Sequence, residues 1–226
     1  MASRPLVIAI DGVVGSGKST TARLVARALG YCHLDTGAMY RAVALAARRS
    51  SVEADDEAAL KQLLDEIAID LLPSDRGVVV LLDGEDVSDE IRRPEVVRCV
   101  GAFADRPVVR RALVARQQEL GCRGGIVAEG RDMGSVVFPD AELKIRMVAD
   151  LDERTRRRRE ELVAKGIEMT FEEVRADIET RDLEDARRDY GAAGAAAEYV
   201  ELNTTHMGLD EQVDAVVALA RQCGAQ

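Results

Sequence analysis

The sequence predicts an α/β fold built on a parallel sheet. Three observations carry this. Short apolar runs of strand length alternate with segments of helical periodicity. A glycine-rich loop sits at the first strand-to-helix junction. One hairpin pattern interrupts the alternation in the middle of the chain.

Residues 6–10 read as a buried strand ended by Asp11. Residues 18–29 read as a helix with Ala22, Val25, Ala28 and Leu29 on one face. Residues 32–34 read as a short strand ending at Asp35, and residues 37–49 as a helix. Residues 126–128 and 143–148 are apolar runs of strand length. Residues 199–202 make a last, weaker strand. Residues 209–222 read as an amphipathic helix with Val213, Val216, Val217 and Ala220 inward. Between these lie residues 67–72 and 78–82, flanking Pro73-Ser74-Asp75-Arg76-Gly77, which reads as a hairpin. Asp83-Gly84 marks another turn, so an inserted subdomain is expected over about residues 62–104. The Ala-rich stretch 191–197 fits either loop or helix.

A chain of 226 residues suits one α/β domain with small insertions. A composition of 47% hydrophobic and 32% charged residues argues against disorder over most of its length. The net charge of −10 argues against a nucleic-acid partner. Local basic clusters can still focus a small anionic substrate. Residues 6–10 are too short for a signal-peptide core or a membrane span, so a cytoplasmic location without a membrane partner is expected. Cys32, Cys99, Cys122 and Cys223 show no CxxC spacing and read as reduced thiols. His33 and His206, the only histidines, read as ordinary residues, so the chemistry is not expected to use a His base.

The loop Gly12-Val13-Val14-Gly15-Ser16-Gly17-Lys18-Ser19 satisfies G-x-x-x-x-G-K-[ST], with a strand before it and a helix after it. Its glycines let backbone N–H groups curl around a phosphate. The helix N-terminus adds its own N–H groups and positive dipole end. Lys18 is placed to reach β- and γ-phosphates, Ser19 to ligate Mg²⁺ directly, and Thr20 completes the nucleotide-binding segment. The loop identifies a nucleoside triphosphate donor but not the reaction.

The other candidates follow strand ends, where open α/β sheets bind ligands. Asp35, Thr36, Tyr40 and Arg41 follow the second strand; they read as acceptor contacts or as a capped helix start. Glu129-Gly130-Arg131-Asp132-Met133-Gly134 follows the next parallel strand. Glu129 is well placed to hold metal-bound water. Arg131 can clamp a phosphate while Asp132 accepts from an exocyclic amine, or the two form a local ion pair. Arg154, Arg156, Arg157, Arg158 and Arg159 form a basic run. It is either a solvated helix face or a flap that neutralises charge on a transferring phosphoryl group, with Arg154, Arg157 and Arg158 as the catalytic arginines. Arg181, Asp185 and Arg188 share one helix face, as i,i+4 pairing or as a phosphate clamp oriented by Asp185.

Together these motifs resemble the bacterial cytidylate kinase family over nearly the whole chain. The strand Ile8-Ala9-Ile10-Asp11 with its loop looks like the family's opening. Leu34-Asp35-Thr36-Gly37-Ala38-Met39-Tyr40-Arg41 is close to its most specific motif. Glu129 to Gly134 with Val136-Val137-Phe138-Pro139-Asp140-Ala141, Glu153-Arg154 with Arg157-Arg158, and Arg181-Asp182 with Asp185 and Arg188 are similar to three others. The resemblance implies a P-loop nucleoside monophosphate kinase: a five-stranded parallel core (1–37 and 111–226), an acceptor domain (38–110) enlarged by the β-containing insert, and a short lid (152–170). It implies a monomer acting on small-molecule nucleotides, with ATP and Mg²⁺ as co-reactants and CMP or dCMP as acceptor. Arg41, Arg131, Arg181 and Arg188 would hold the acceptor's phosphate or sugar. Asp185 would orient the sugar and a clamp arginine, and Arg110 and Asp132 would read the cytosine edge. Gly101 stands where the family usually has a base-contacting Ser, and Val13-Val14 where it has Pro-Ala. After Arg188 the family's Ala-Pro-Leu is replaced by Asp189-Tyr190-Gly191. These departures leave a modified cytidine monophosphate, or another small acceptor, as the alternative substrate. A nucleotide-dependent switch is the alternative from another class; it would want a guanine-reading N-K-x-D motif, which the chain lacks.

Overall fold

The computed structural model describes residues 5–74, 77–164, 166–187 and 199–225. Its elements run β1 (Val7–Gly12), α1 (Lys18–Leu29), β2 (Cys32–Asp35), α2 (Thr36–Arg49), α3 (Glu57–Glu66), β3 (Ile69–Ser74), β4 (Gly77–Leu82) and β5 (Glu85–Asp86). Then come α4 (Pro94–Ala104), α5 (Pro107–Gly121), β6 (Ile126–Gly130), β7 (Leu143–Val148), α6 (Leu151–Ala164), α7 (Phe171–Arg187), β8 (Val200–Asn203) and α8 (Leu209–Gln222). A π-helical turn, Met133–Val137, follows β6.

The main sheet has five strands in the order β2-β6-β1-β7-β8. The pairs β1–β6, β1–β7 and β7–β8 are parallel. The predicted five-stranded α/β core is therefore present. Parallel strands need helices on their faces, and alternation along β1 supplies one such face. Ile8 and Ile10, with Val127, Leu143, Ile145 and Met147, pack against Ala22, Val25 and Leu29 of α1 and Val216, Val217 and Ala220 of α8. Each fully buried aliphatic side chain there contributes about 1.5–3 kcal/mol. Gly30, in the left-handed conformation at φ 66°, stops α1.

The chain divides into two compact units, residues 32–124 and residues 1–31 with 125–226. Within the first, β3-β4-β5 form a separate antiparallel sheet. The expected hairpin is shifted. Its first strand covers residues 69–74 rather than 67–72, so Pro73 lies inside it. That is tolerated because β3 is an edge strand, where proline's missing N–H costs no ladder bond. Ala68 is instead tied to Asp83, whose carboxylate accepts its N–H at 2.7 Å. Asp83 and Gly84 both have positive φ, as a two-residue hairpin turn requires. Asp75 and Arg76 of the expected first turn, and the stretch 191–197, lie outside the described residues.

The four cysteines are free. No helix among the described residues is long and apolar enough to cross a membrane.

Candidate active site

The phosphate loop spans the end of β1 and the start of α1. Gly15 (φ 77°) and Gly17 (φ 89°) both adopt the left-handed conformation. A Cβ at Gly15 would meet Arg154 Cβ at 2.9 Å, and one at Gly17 would meet Gln212 Oε1 at 2.8 Å. Conformation and space therefore both demand glycine. Ser16 is buried and its Oγ donates to Val13 O at 2.9 Å, closing the loop from within. The cap of α1 is Gly17, which offers no side-chain acceptor, and no acid occupies the first turn. The positive end of the helix is thus kept for an anion brought from outside.

At the head of α1, Ser19 Oγ donates to Glu129 Oε2 at 2.5 Å, and Lys18 Nζ lies 3.4 Å from the same oxygen. Glu129 comes from β6 and is buried. It stands one residue from the sheet's end because β1 and β6 pair in register, Ile10 opposite Glu129. Lysine, hydroxyl and carboxylate therefore meet at one point. The two oxygens suit a hard cation such as Mg²⁺. Among the described residues no group of three or more His, Cys, Asp or Glu is arranged to hold a metal. Mg²⁺ in phosphoryl-transfer sites characteristically takes few protein ligands and completes its shell with phosphate and water.

Arg131 leaves the end of β6 and is anchored twice. Its Nε donates to Asp185 Oδ2 at 2.6 Å, and its Nη1 to Gly12 O at 2.6 Å. The alternative of a simple Arg131–Asp132 turn pair gives way to a bond across 54 residues onto α7. Asp132 is buried beside it.

The arginine run of α6 divides by residue. Arg154 is only 7% exposed, pairs with Asp182 at 2.8 Å, and donates to Ala149 O and Val14 O. Arg157 pairs with Glu153 at 2.7 Å and donates to Thr204 O at 2.6 Å, with a longer contact to Ser16 O. Both therefore brace carbonyls of the phosphate loop. Arg156 pairs with Glu153 and Glu160 and Arg159 donates to Met169 O, both exposed as a solvated face requires. Arg158 pairs with Glu161 but is half-buried, with its Nε out of solvent. Arg156, with Arg157 behind it, holds the Glu153 carboxyl below the usual carboxylate range. Arg181 pairs with Asp177, one turn back on α7. Arg188 lies outside the described residues.

The family model for cytidylate kinase matches residues 8–222. A cytidylate kinase from Ligilactobacillus salivarius is 41% identical over 97% of this chain and 98% of its own. One from Geobacillus kaustophilus matches equally, and one from Syntrophotalea carbinolica is 41% identical over 97% and 94%. The chain belongs to the cytidylate kinase family. A crystal structure of an uncharacterized protein from Eubacterium ventriosum shares the fold, with a TM-score of 0.51 at 13% identity over 96% of this chain and 98% of its own.

The remaining residues expected from the cytidylate kinase resemblance lie in the unit 32–124. Asp35 caps α2 by accepting the Ala38 N–H at 2.8 Å, and pairs with Arg41 at 3.2 Å. Its carboxylate thus caps the helix and anchors an expected acceptor arginine at once. Thr36 is buried and Tyr40 half-buried on the same helix. Gly101 lies on α4 and Arg110 on α5, both half-buried.

Four residues around the loop carry no role in the sequence reading. Thr204 is buried and donates to Ser16 O at 2.9 Å. Gln212 accepts from Thr21 at 2.8 Å and backs Gly17. Asp182 receives Arg154. Asp11 accepts the N–H groups of Met133 and Gly134. Two of them left a signal: Asp11 as an acid closing an otherwise apolar strand, and Asp182 as a member of the motif with Arg181, Asp185 and Arg188.

Proposed function

We propose that the protein transfers the γ-phosphate of ATP to CMP or dCMP, giving CDP or dCDP and ADP. The observation that carries this reading is the meeting of Lys18, Ser19 and Glu129 at the phosphate loop. The Gly12–Arg131 bond beside it lies in a chain 41% identical to proteins named cytidylate kinase.

The donor's phosphates lie in the loop of residues 12–20, with Lys18 over the β- and γ-oxygens. Ser19 would hold Mg²⁺ directly and Glu129 through its water; the ion supplies neutralisation of phosphate charge when bound. An oxygen of the acceptor's phosphate bonds to the γ-phosphorus as the bond to ADP breaks, without a phosphorylated protein. That oxygen is already ionised at neutral pH, so no strong base is needed and positioning with charge neutralisation carries the rate.

Arg131, Arg181 and Arg188 are assigned to the acceptor's phosphate or sugar, as are Asp35, Thr36, Tyr40 and Arg41. Asp185 orients Arg131 through the 2.6 Å bond and the sugar beside it. Asp132 and Arg110 are assigned to the amino group and ring acceptors of cytosine, with Gly101 at the base. Uracil turns a carbonyl to Asp132 and is disfavoured. Arg154, Arg157 and Arg158 are assigned to the transferring phosphoryl group as the lid of residues 152–170 moves. The acceptor domain is assigned to residues 38–110. A monomer working in the cytoplasm on free nucleotides completes the reading.

Steady-state ADP release with CMP, dCMP and UMP tests it. Saturable turnover with a cytidine nucleotide is expected; equal turnover with UMP would remove the base-reading assignment.

A further inference from the structure

Asp11 is a carboxylate buried to 4% exposure on the last inward turn of β1, immediately before the phosphate loop. It points to the sheet face opposite α1 and α8, since its neighbour Ile10 belongs to the core on that other face. Its Oδ1 accepts the Met133 N–H at 2.8 Å, and its Oδ2 accepts the Gly134 N–H at 3.0 Å. Oδ2 also accepts the phenol of Tyr199 at 2.6 Å. One residue on, Gly12 O accepts Arg131 Nη1 at 2.6 Å. Two consecutive residues of the donor strand thus grip residues 131–134 of the turn after β6.

Tyr199 closes this contact from the side. Its ring lies under the Arg146 guanidinium, 4.7 Å from centroid to Cζ, which fixes the ring plane. A Cβ at Gly134 would stand 2.7 Å from Tyr199 Oη, so the backbone comes directly against the phenol. Burial, with Asp11 beside it, holds the phenol well above its ordinary range. It therefore stays a donor throughout the neutral range. The turn it secures is π-helical, with Val137 N–H reaching Asp132 O at 3.1 Å, an irregular segment that needs such support.

We propose that Asp11 and Tyr199 are positioning residues for the acceptor: they fix Met133 and Gly134, and through them hold Arg131 and Asp132 in register with the phosphate loop. The inference rests on the reading that Arg131 and Asp132 meet the acceptor. It adds two residues outside that set and ties acceptor affinity to the strand that carries the donor loop.

The test compares Tyr199→Phe, Asp11→Asn and the double variant in the full chain. Tyr199→Phe keeps the ring and its stacking and removes the phenol's bond to the charged Asp11, together with the one it makes with Ser135. KM for CMP is expected to rise about 10-fold in Tyr199→Phe and further in Asp11→Asn. KM for ATP should stay within about twofold, and the double variant should fall short of the product of the singles. In the ligand-free protein, amide exchange of Met133 and Gly134 should quicken about 10-fold while that of residues 13–17 holds. A parallel rise of both KM values, or unchanged exchange at Met133 and Gly134, overturns the proposal. Should Asp11→Asn fail to fold, Tyr199→Phe decides alone. Absence of CMP turnover in the unmodified protein overturns the functional reading instead, leaving exchange and non-additive stability to decide whether the grip exists.

Discussion

Arg131 donates to Asp185 at 2.6 Å, joining the turn after β6 to α7. The pair is partly buried, with the arginine side chain 26% and the aspartate 18% exposed. Its bond is charge-assisted, and the second donor of the same guanidinium is spent on Gly12 O. An arginine held at both Nε and Nη1 presents its Nη2 donors in a fixed direction. That is what a phosphate clamp needs and what a freely solvated side chain lacks.

Removing the tether should therefore weaken acceptor binding more than stability. Asp185→Asn is expected to raise KM for CMP about 10-fold, consistent with loss of about 1.5 kcal/mol of charge-assisted bonding. The melting temperature should fall by no more than about 4 °C. Steady-state kinetics and thermal unfolding on one preparation check both.

Lys18→Ala removes the only lysine of the loop and leaves Glu129 its bond from Ser19. Turnover should fall by at least ~100-fold, with circular dichroism and melting temperature near native. A variant retaining near-native turnover would remove the donor-site assignment.

Gly15→Ala tests the loop's backbone. An alanine there must hold φ 77° and place its Cβ 2.9 Å from Arg154 Cβ. Strain of about 1–2 kcal/mol and overpacking of about 1–3 kcal/mol act together. The melting temperature should drop by roughly 5 °C or more, and ATP binding by calorimetry should be lost.

Much of this was legible in the chain. Residues 18–29 and 209–222 carry helical periodicity strong enough to place both helices to the residue. Glycine, lysine and serine at fixed spacing announce the loop because its chemistry is local. The shifted hairpin shows the limit: Pro73 reads as a turn residue, and only the sheet's edge makes it a strand residue. Arg154 and Arg157 show another. As sequence they belong to one basic run with Arg156, Arg158 and Arg159. Which of them turns inward depends on partners as distant as Val14, Asp182 and Thr204. Tyr199 left no signal, because its partner Asp11 is 188 residues away.

Glu153 gives a pH dependence. Arg156 first, then Arg157, holds its carboxyl below the usual range. A carboxylate so lowered stabilises the fold above its unfolded pKa of about 4.3, and that contribution is lost as pH falls through the lower folded value. Glu153→Gln should thus melt below the unmodified protein at pH 7, with the gap closing at pH below about 4. Thermal melts across that range check the sign; a gap that widens in acid would contradict it.

The central claim is the phosphoryl transfer itself. Its most direct measurement is kcat/KM by coupled ADP release with ATP, Mg²⁺ and a panel of CMP, dCMP, UMP, AMP and modified cytidine monophosphates. CMP or dCMP should be preferred over UMP by at least ~100-fold, since the carboxylate assigned to accept from the cytosine amine meets a carbonyl oxygen in uracil and repels it. Preference for another acceptor class, or ATP binding with no turnover on any monophosphate, would contradict the account.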